Sequence, residues 1–525
     1  MLLRAIVLSL LALFLSLGSA QAATIFHRGN ISEPDTLDPQ KYFSDYEAEI
    51  IRDLFVGLLT IDAKARPIPG LAKDWTISPD GLTYTFNLRK DAVWSDGRPV
   101  TATDAVFAFH RALDPSTKAA YTTQIFAIKN AEALFLGKAK PSDLGVIAKD
   151  PHTLDIVLTR PQPTLLLLLA NLPMIYPLPR HAIEANPQGW ARAGSMVSSG
   201  AFVLAEWKVG NKVRLTKNAR FYDAASVKID EVHYYPTVDD NTALNLFRAG
   251  QLDMNPRFPP NQLPWLRKNL SGQFKIVPAL WVTYLVPNIR KAPFSDPRVR
   301  RALHLAISRD VLTAKVLRNG EKPYWGIVPD VIENYVSPIT PDNRPLPERQ
   351  TEARSLLSAA GFDPGKPLAF TFSHRAGFHN RLAAVAVASM WADIGVKADL
   401  TQADVSAHYD KLRAGNFDIA DAGYSDNADP EYFAYLLETK SVEVNYGAYS
   451  NKTYDAMVER ARAILDRTAR FRAFQDAERL AIGENAVIPM FLSVERVLIK
   501  PYVKGLEENP LGQYPSRFIR IEGRP

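Results

Sequence analysis

The sequence predicts a mixed α/β fold, and three observations carry that reading. Runs that alternate in period two are interleaved along the chain with capped, amphipathic helical runs. Apolar residues make up 47% and charged residues 22%, the composition of a chain that buries a core. Finally, 38 Pro and 27 Gly impose frequent turns in place of long rods. With 525 residues the chain has room for about three domains.

Taken in order, the first element is an address. Arg4 precedes an apolar run from Ala5 to Leu17, and Ala20-Gln21-Ala22 follows. A positive start, an apolar run and a small-x-small site predict a secretory signal peptide cut after Ala22. The run is shorter than the ~20 residues that a membrane helix needs. Thr83 to Arg89 alternates as a half-buried strand, and Thr101 or Thr103 caps a helix over Ala105 to Leu113 that Asp114-Pro115 ends. His152 to Leu158 is a second alternating strand. Asp296 caps a helix with Pro297 at its first position. Thr351 to Ala360 reads as a helix closed by Gly361, and Ala383 to Ile394 as one stopped at Gly395, with a strand from Val396 to Leu400 behind it.

The chemistry is bounded by what is missing. Cysteine is absent, which excludes disulfides, thiolate metal sites, cysteine nucleophiles and an acylated-cysteine anchor. With an export signal and no lipid anchor, the expected location is a periplasm. The net charge of +6 is scattered, so no nucleic-acid partner is expected. Nine histidines include His374 and His379, without the helical register of a zinc pair. No phosphate loop, nucleophile elbow or dinucleotide fingerprint occurs, and neither an enzyme, a cofactor nor a metal is expected. Aromatic residues at 10% suit a ligand cleft.

One stretch is specific. Gly70-Leu-Ala-Lys-Asp-Trp75, Ser78-Pro-Asp-Gly81, Tyr84 to Ala92, Trp94-Ser-Asp-Gly97 and Pro99-Val-Thr-Ala102 form a strand, a polar turn and a capped helix. This stretch resembles the signature of bacterial extracellular solute-binding proteins of the peptide/nickel type. Leu37-Asp-Pro39, Ser198-Ser-Gly-Ala-Phe202, Pro293 to Leu303, Ile307 to Leu312 and Gly415-Asn-Phe-Asp418 extend the resemblance along the chain. Leu136-Gly-Lys138, Asp143 to Val146 and Tyr121 bring it nearest to the periplasmic oligopeptide-binding proteins of ABC importers.

The resemblance implies a two-lobed periplasmic binding protein fold with three domains and a ligand cleft between the lobes. It divides the chain into domain I (23–55, 181–280 and 495–525), domain II (56–180) and domain III (281–494). It also implies an oligopeptide ligand, an importer permease as membrane partner, and a monomer that closes around a hinge. The peptide would lie as an added strand between Ser44-Asp45-Tyr46 and Gly423-Tyr424-Ser425. Asp426 would pair with its α-ammonium, with Asp429 as the alternative, and Tyr121 would wall the pocket. His379 matches a histidine that meets ligand carboxylates.

Departures from the pattern accompany these matches. Leu412 and Asp421 stand where relatives carry basic residues, Val405 stands at a pocket tryptophan, and Trp281 and Ser425 replace a cysteine pair. Asp421 would favour a cationic ligand group if it faced the cleft, while a pairing with a neighbouring cation would take it out of contact. Arg413 and Lys315 remain as candidates to meet a carboxylate. Within the same receptor role, opines, murein fragments, oligosaccharides and metal chelates are the alternative ligands. A secreted hydrolase and a holdase-like protein are the readings from other classes.

Overall fold

The computed structural model describes residues 23–524, and the expected signal peptide lies outside the described residues. The chain folds into two lobes joined by one continuous mixed sheet of 11 strands. In the first lobe, Ile25–Asn30 pairs in parallel with Glu231–Pro236, which continues through Lys212–Lys217 to Phe202–Lys208. In the second lobe, Ile419–Ser425 lies between Ala369–Arg375 and Phe274–Pro287.

Two long strands connect these halves. Phe274–Pro287 and Ile488–Ile499 run antiparallel, and their register slips between Pro278 and Val282. At the slip Leu280 N–H donates to Pro510 O at 3.1 Å, so the missing ladder bond is replaced from the C-terminal segment. Phe274 and Ile276 pack into a core of the first lobe, whereas Leu280 and Val282 belong to a core of the second. The chain therefore crosses between lobes within a few residues, and it returns through the partner strand.

The second-lobe sheet is covered on both faces, as buried strands between helices require. Val282, Tyr284 and Ala420 face one core, while Leu285, Phe372 and Ile419 face another that holds Trp391. A separate antiparallel sheet in the first lobe runs Ala72–Ile77, Thr83–Leu88, Thr153–Val157, Val146–Asp150. Its buried side chains Tyr84, Phe86, Leu154 and Ile156 share a core with Ala105, Ala108 and Phe109 of the helix Ala102–Leu113. Trp94 is fully buried beside this sheet, and Gly97, at φ +93°, closes the turn that follows it.

The helix ends follow their local chemistry. Thr101 caps Ala102–Leu113 through a reciprocal pair with Asp104, and Asp296 accepts from Arg298 N–H at the start of Pro297–Leu305. The helix expected from Thr351 begins earlier, at Leu346, with Pro347 in its first turn, and Gly361 follows its end at φ +91°. The helix expected from Ala383 likewise spans Phe378–Ala392. None of the described helices is long and apolar enough to cross a membrane.

One buried acid organises the second lobe. Glu478, 2% exposed on the helix Arg467–Gly483, accepts from the N–H groups of Ile327 and Val328 at 2.7 and 2.9 Å and from the Tyr335 hydroxyl at 2.6 Å. Burial pushes its carboxyl up to about 7. The native state holds this proton up to about pH 7, while the unfolded chain releases it near 4.5, the ordinary value for a glutamate. The folded protein thus binds more protons across that interval and loses stability as pH rises through it, by about 3 kcal/mol for this group alone. Glu478→Gln, which keeps a carbonyl acceptor for the two N–H groups, is expected to flatten the decline. Urea titrations at pH 5 and pH 8 check this, and an unchanged slope against pH would refute it.

Candidate functional site

Between the lobes lies a cavity of about 660 Å³. The first lobe supplies Arg28 from within its opening strand, Asp45 and Glu49 from the helix Asp45–Leu54, and Tyr121. The second lobe supplies Trp281, Ser425 and Asp426, while Glu495 lines the cavity from the crossing strand Ile488–Ile499.

The charges divide into satisfied and unsatisfied sets. Arg28, 3% exposed, pairs with Glu49 at 2.9 Å and donates to Tyr514 O, and Arg52 meets the same Glu49 at 3.4 Å. Arg257 is held by Asp240 at 3.2 Å. Among the described residues, Asp45, Asp426 and Glu495 have no ion-pair partner and all three line the cavity. Asp426 accepts only neutral donors, the Tyr424 hydroxyl at 2.8 Å and Asn427 N–H at 2.7 Å. Burial raises the carboxyl groups of Asp426 and Glu495 above their ordinary range. Such a wall favours a cationic ligand group.

Asp426 sits one residue past the strand Ile419–Ser425, and that strand has an open edge. Its pairing with Ala369–Arg375 covers only Ile419 and Ala420. Beyond these, side chains occupy the backbone: His408 Nε2 donates to Asp421 O at 2.8 Å, while the Tyr409 hydroxyl bridges the N–H and carbonyl of Gly423, 3.2 Å from each. Ser425 is exposed at the end of this edge. Trp281 and Ser425 stand directly opposite each other across the strand pair, as neighbours replacing a cysteine pair would. The indole crosses the backbone so closely that a Cβ at Gly423 would lie 2.5 Å from Trp281 Nε1, which is why glycine is needed there.

The other expected residues fall in different places. Tyr121 lines the cavity, stacked at 6.2 Å on Phe43 and donating its hydroxyl to Phe43 O at 2.8 Å. Ser44 corrects the expectation of a strand partner. It caps the helix Asp45–Leu54, its carbonyl accepts from Glu47 and Ala48 N–H, and its own N–H donates to Glu47. A backbone so engaged cannot add a strand, so this side presents the side chains of Asp45 and Tyr46 instead. His379 lies off the cavity wall, against the Asn319 amide at 2.9 Å, and burial lowers its pKa.

Asp421 is the clearest correction. It is 5% exposed and turned away from the cavity, accepting Arg375 N–H and Nε at 2.9 Å each, with His408 Nε2 at 3.3 Å. The pairing takes it out of reach of ligand. Asp429 is likewise committed: it caps the helix Pro430–Ala434 and meets Arg470 at 2.6 Å, which leaves Asp426 as the acid at this corner without a cation. Leu412 is fully buried and Val405 is exposed on the helix Val405–Arg413, so neither lines the cavity.

A family model described as bacterial extracellular solute-binding proteins, family 5 Middle, matches residues 66–444. The chain is 35% identical over 495 residues to the periplasmic murein peptide-binding protein MppA of Escherichia coli, covering 93% of this chain and 91% of that one. It is 36% identical over 510 residues to the probable deoxycholate-binding periplasmic protein YgiS of the same organism, covering 95% and 94%. The unliganded open form of MppA superposes with a TM-score of 0.87 at 33% identity, over 95% of this chain and 98% of that one. The Haemophilus influenzae OppA complex with RPPGFSPFR gives 0.74 at 31% identity, over 95% and 99%.

The two neighbouring acids make opposite predictions. Asp421→Asn leaves the buried Arg375 charge without its partner and is expected to cost about 3 kcal/mol of stability. Its ligand affinity should stay within about threefold of wild type, a difference below about 1 kcal/mol. Denaturant midpoints and calorimetric titration of the same preparation check both halves; a stable variant with altered affinity would reverse the assignment.

Proposed function

Because the chain belongs to the bacterial extracellular solute-binding proteins of family 5, we propose that it is a periplasmic receptor that captures oligopeptides between its lobes and delivers them to an ABC import permease. The observation that carries the peptide reading is Asp426, a half-buried carboxylate facing the cavity with no cation of its own, beside a strand edge that ends in the exposed Ser425. An extended peptide can bond to that edge through its backbone, which is tolerant of side chains, while its α-ammonium supplies the missing charge. Asp45 and Glu495 add negative charge around the same cavity, favouring peptides with a basic residue near the amino end. The receptor works as a monomer, exported by the segment up to Ala22.

A second reading has one observation in its favour. A cavity of about 460 Å³ lies beside the cleft, lined by Trp75, Leu166, Leu465 and Leu511, with Lys64 and Arg467 at its margin. An amphipathic anion such as a bile acid suits that lining better than the acid-rich cleft does, and the relative YgiS carries deoxycholate binding in its name. Mass spectrometry of ligand released from purified, denatured protein separates the two.

Two outcomes are expected. Asp426→Asn should weaken binding of a peptide with a free amino terminus by about 2–5 kcal/mol, the usual cost of removing one partner of a buried charge pair. N-acetylation of the peptide should weaken wild-type binding to a similar extent and remove most of the difference between the proteins. Isothermal titration measures both, and equal affinities of wild type and variant for the free peptide would end the assignment. Amino-terminal sequencing of protein released by osmotic shock should start near Ala23; retention of Met1 would contradict export by cleavage.

A further inference from the structure

The second lobe contains another cavity, of about 330 Å³, between the helices Pro297–Leu305, Leu346–Ala359 and Arg467–Gly483, remote in composition from the cleft. Its wall carries Arg301, His304, Arg309, Arg349 and Arg479, with Trp325 on one side and Asp342 as an acid. Most of these charges are already matched. Arg301 meets Glu352 at 3.5 Å, Arg479 meets Asp476 at 2.7 Å, and Asp342 is held by Arg344.

Arg309 and Arg349 are different. Arg309 is 2% exposed and its Nε donates to the carbonyls of Tyr324 and Pro489, at 3.1 and 2.8 Å. Arg349 donates to the carbonyls of Leu305 and Ile307 through Nη1, at 3.1 and 3.2 Å. Neither guanidinium has a carboxylate within 4 Å among the described residues, and four buried polar atoms of lining residues stand without a hydrogen-bond partner: Arg309 Nη2, Arg349 Nε, His304 Nδ1 and the acceptor Asn485 Oδ1. Burial, reinforced by Arg349, pulls the Arg309 guanidinium down to about 9, and His304 is held well below its ordinary value. The buried Arg309 guanidinium, without a carboxylate and with the half-buried Arg349 as a like-charged neighbour, is costly to hold charged unless an anion joins the two. Two unmatched positive charges call for a dianion, and forked N–H donors match the oxygens of a tetrahedral one. The Arg309 guanidinium stacks 5.7 Å from the Trp325 ring centre, so an indole face borders the same space. A volume of about 330 Å³ falls at the small end of small-molecule sites and exceeds what a bare phosphate fills.

We propose that this cavity is a binding site for an oxyanion of the phosphate class, free or borne by a small organic molecule, held by Arg309 and Arg349 and bordered by Trp325. The site is separate from the interlobe cleft and shares no lining residue with it. Calorimetric titration of the full chain with inorganic phosphate and with phenyl phosphate, against chloride at matched ionic strength, tests it. Saturable one-to-one binding of either probe is expected. Tighter binding of phosphate identifies a free anion as occupant, and tighter binding of phenyl phosphate an organic one. Arg349→Gln should weaken the better probe about tenfold or more, the effect of losing a hydrogen bond to a charged group, without changing peptide affinity. If that variant does not fold, the wild-type titration still decides. The absence of saturable binding of both probes up to about 10 mM overturns the proposal. So does a folded Arg349→Gln protein that binds either probe as wild type does, since Arg309 and Arg349 would then serve only to tie backbone carbonyls together.

Discussion

The structure depends on one constraint: a single sheet must serve two lobes, each with a core of its own. Only the long strands Phe274–Pro287 and Ile488–Ile499 satisfy it, and they do so by slipping register where they cross. A perfect ladder through Pro278 to Val282 would stiffen the junction and would leave no role for the Leu280 to Pro510 bond. Proline at 278 lacks the donor that an unbroken ladder needs, so the break is written into the residue type. The cavity opens beside this slip because two separately filled cores leave their facing surfaces uncovered. So short a crossing is where the hinge that the family resemblance implies would lie.

Charge in the cleft follows from the same geometry. Acids within one lobe can recruit guanidinium groups from neighbouring elements, as Glu49 recruits Arg28 and Arg52, and Asp421 recruits Arg375. Acids at the uncovered faces have only the opposite lobe to turn to. Asp45 and Asp426 lie on opposite lobes, Glu495 lies at the crossing, and no ion-pair partner reaches any of the three among the described residues. The unmatched charge of this site is thus a property of its position between two bodies.

Much of the fold was legible in the sequence where the chemistry is local. Thr101, Asp296, Gly361 and Gly395 mark helix ends through bonds or dihedral angles made within a few residues, and all four lie where those ends fall. Pairing over long distances was not legible. Nothing in the alternation of Phe274–Pro287 says that its first half belongs to one lobe and its second to the other. The site divides in the same way. The neighbourhood of Asp426 announces itself through Gly423-Tyr424-Ser425, but Asp421, five residues earlier, reads as an equal candidate until Arg375 is seen beside it. The resemblance makes Ser44 a flank for an added peptide strand, although Glu47, three residues on, already spells a capping box. Glu495 was missed, and its one signal was an acid within the apolar run from Ile488 to Ile499.

These separations bear on how ligand and closure are linked. The hinge closure that the family resemblance implies would bring Asp426 nearer to Asp45 on the facing lobe, and like charges approaching in a water-poor space repel. Neutralising one of them by protonation relieves part of this, and burial already lifts Asp426 and Glu495 in that direction. An ammonium group placed among them does more, because it adds an attraction to each of the three acids that offsets their mutual repulsion. Asp421 cannot take part, since Arg375 has already cancelled its charge. In such a closure the acids left unpaired in the cleft would oppose closing of the empty protein, and the same acids would favour it once a cationic ligand end is present.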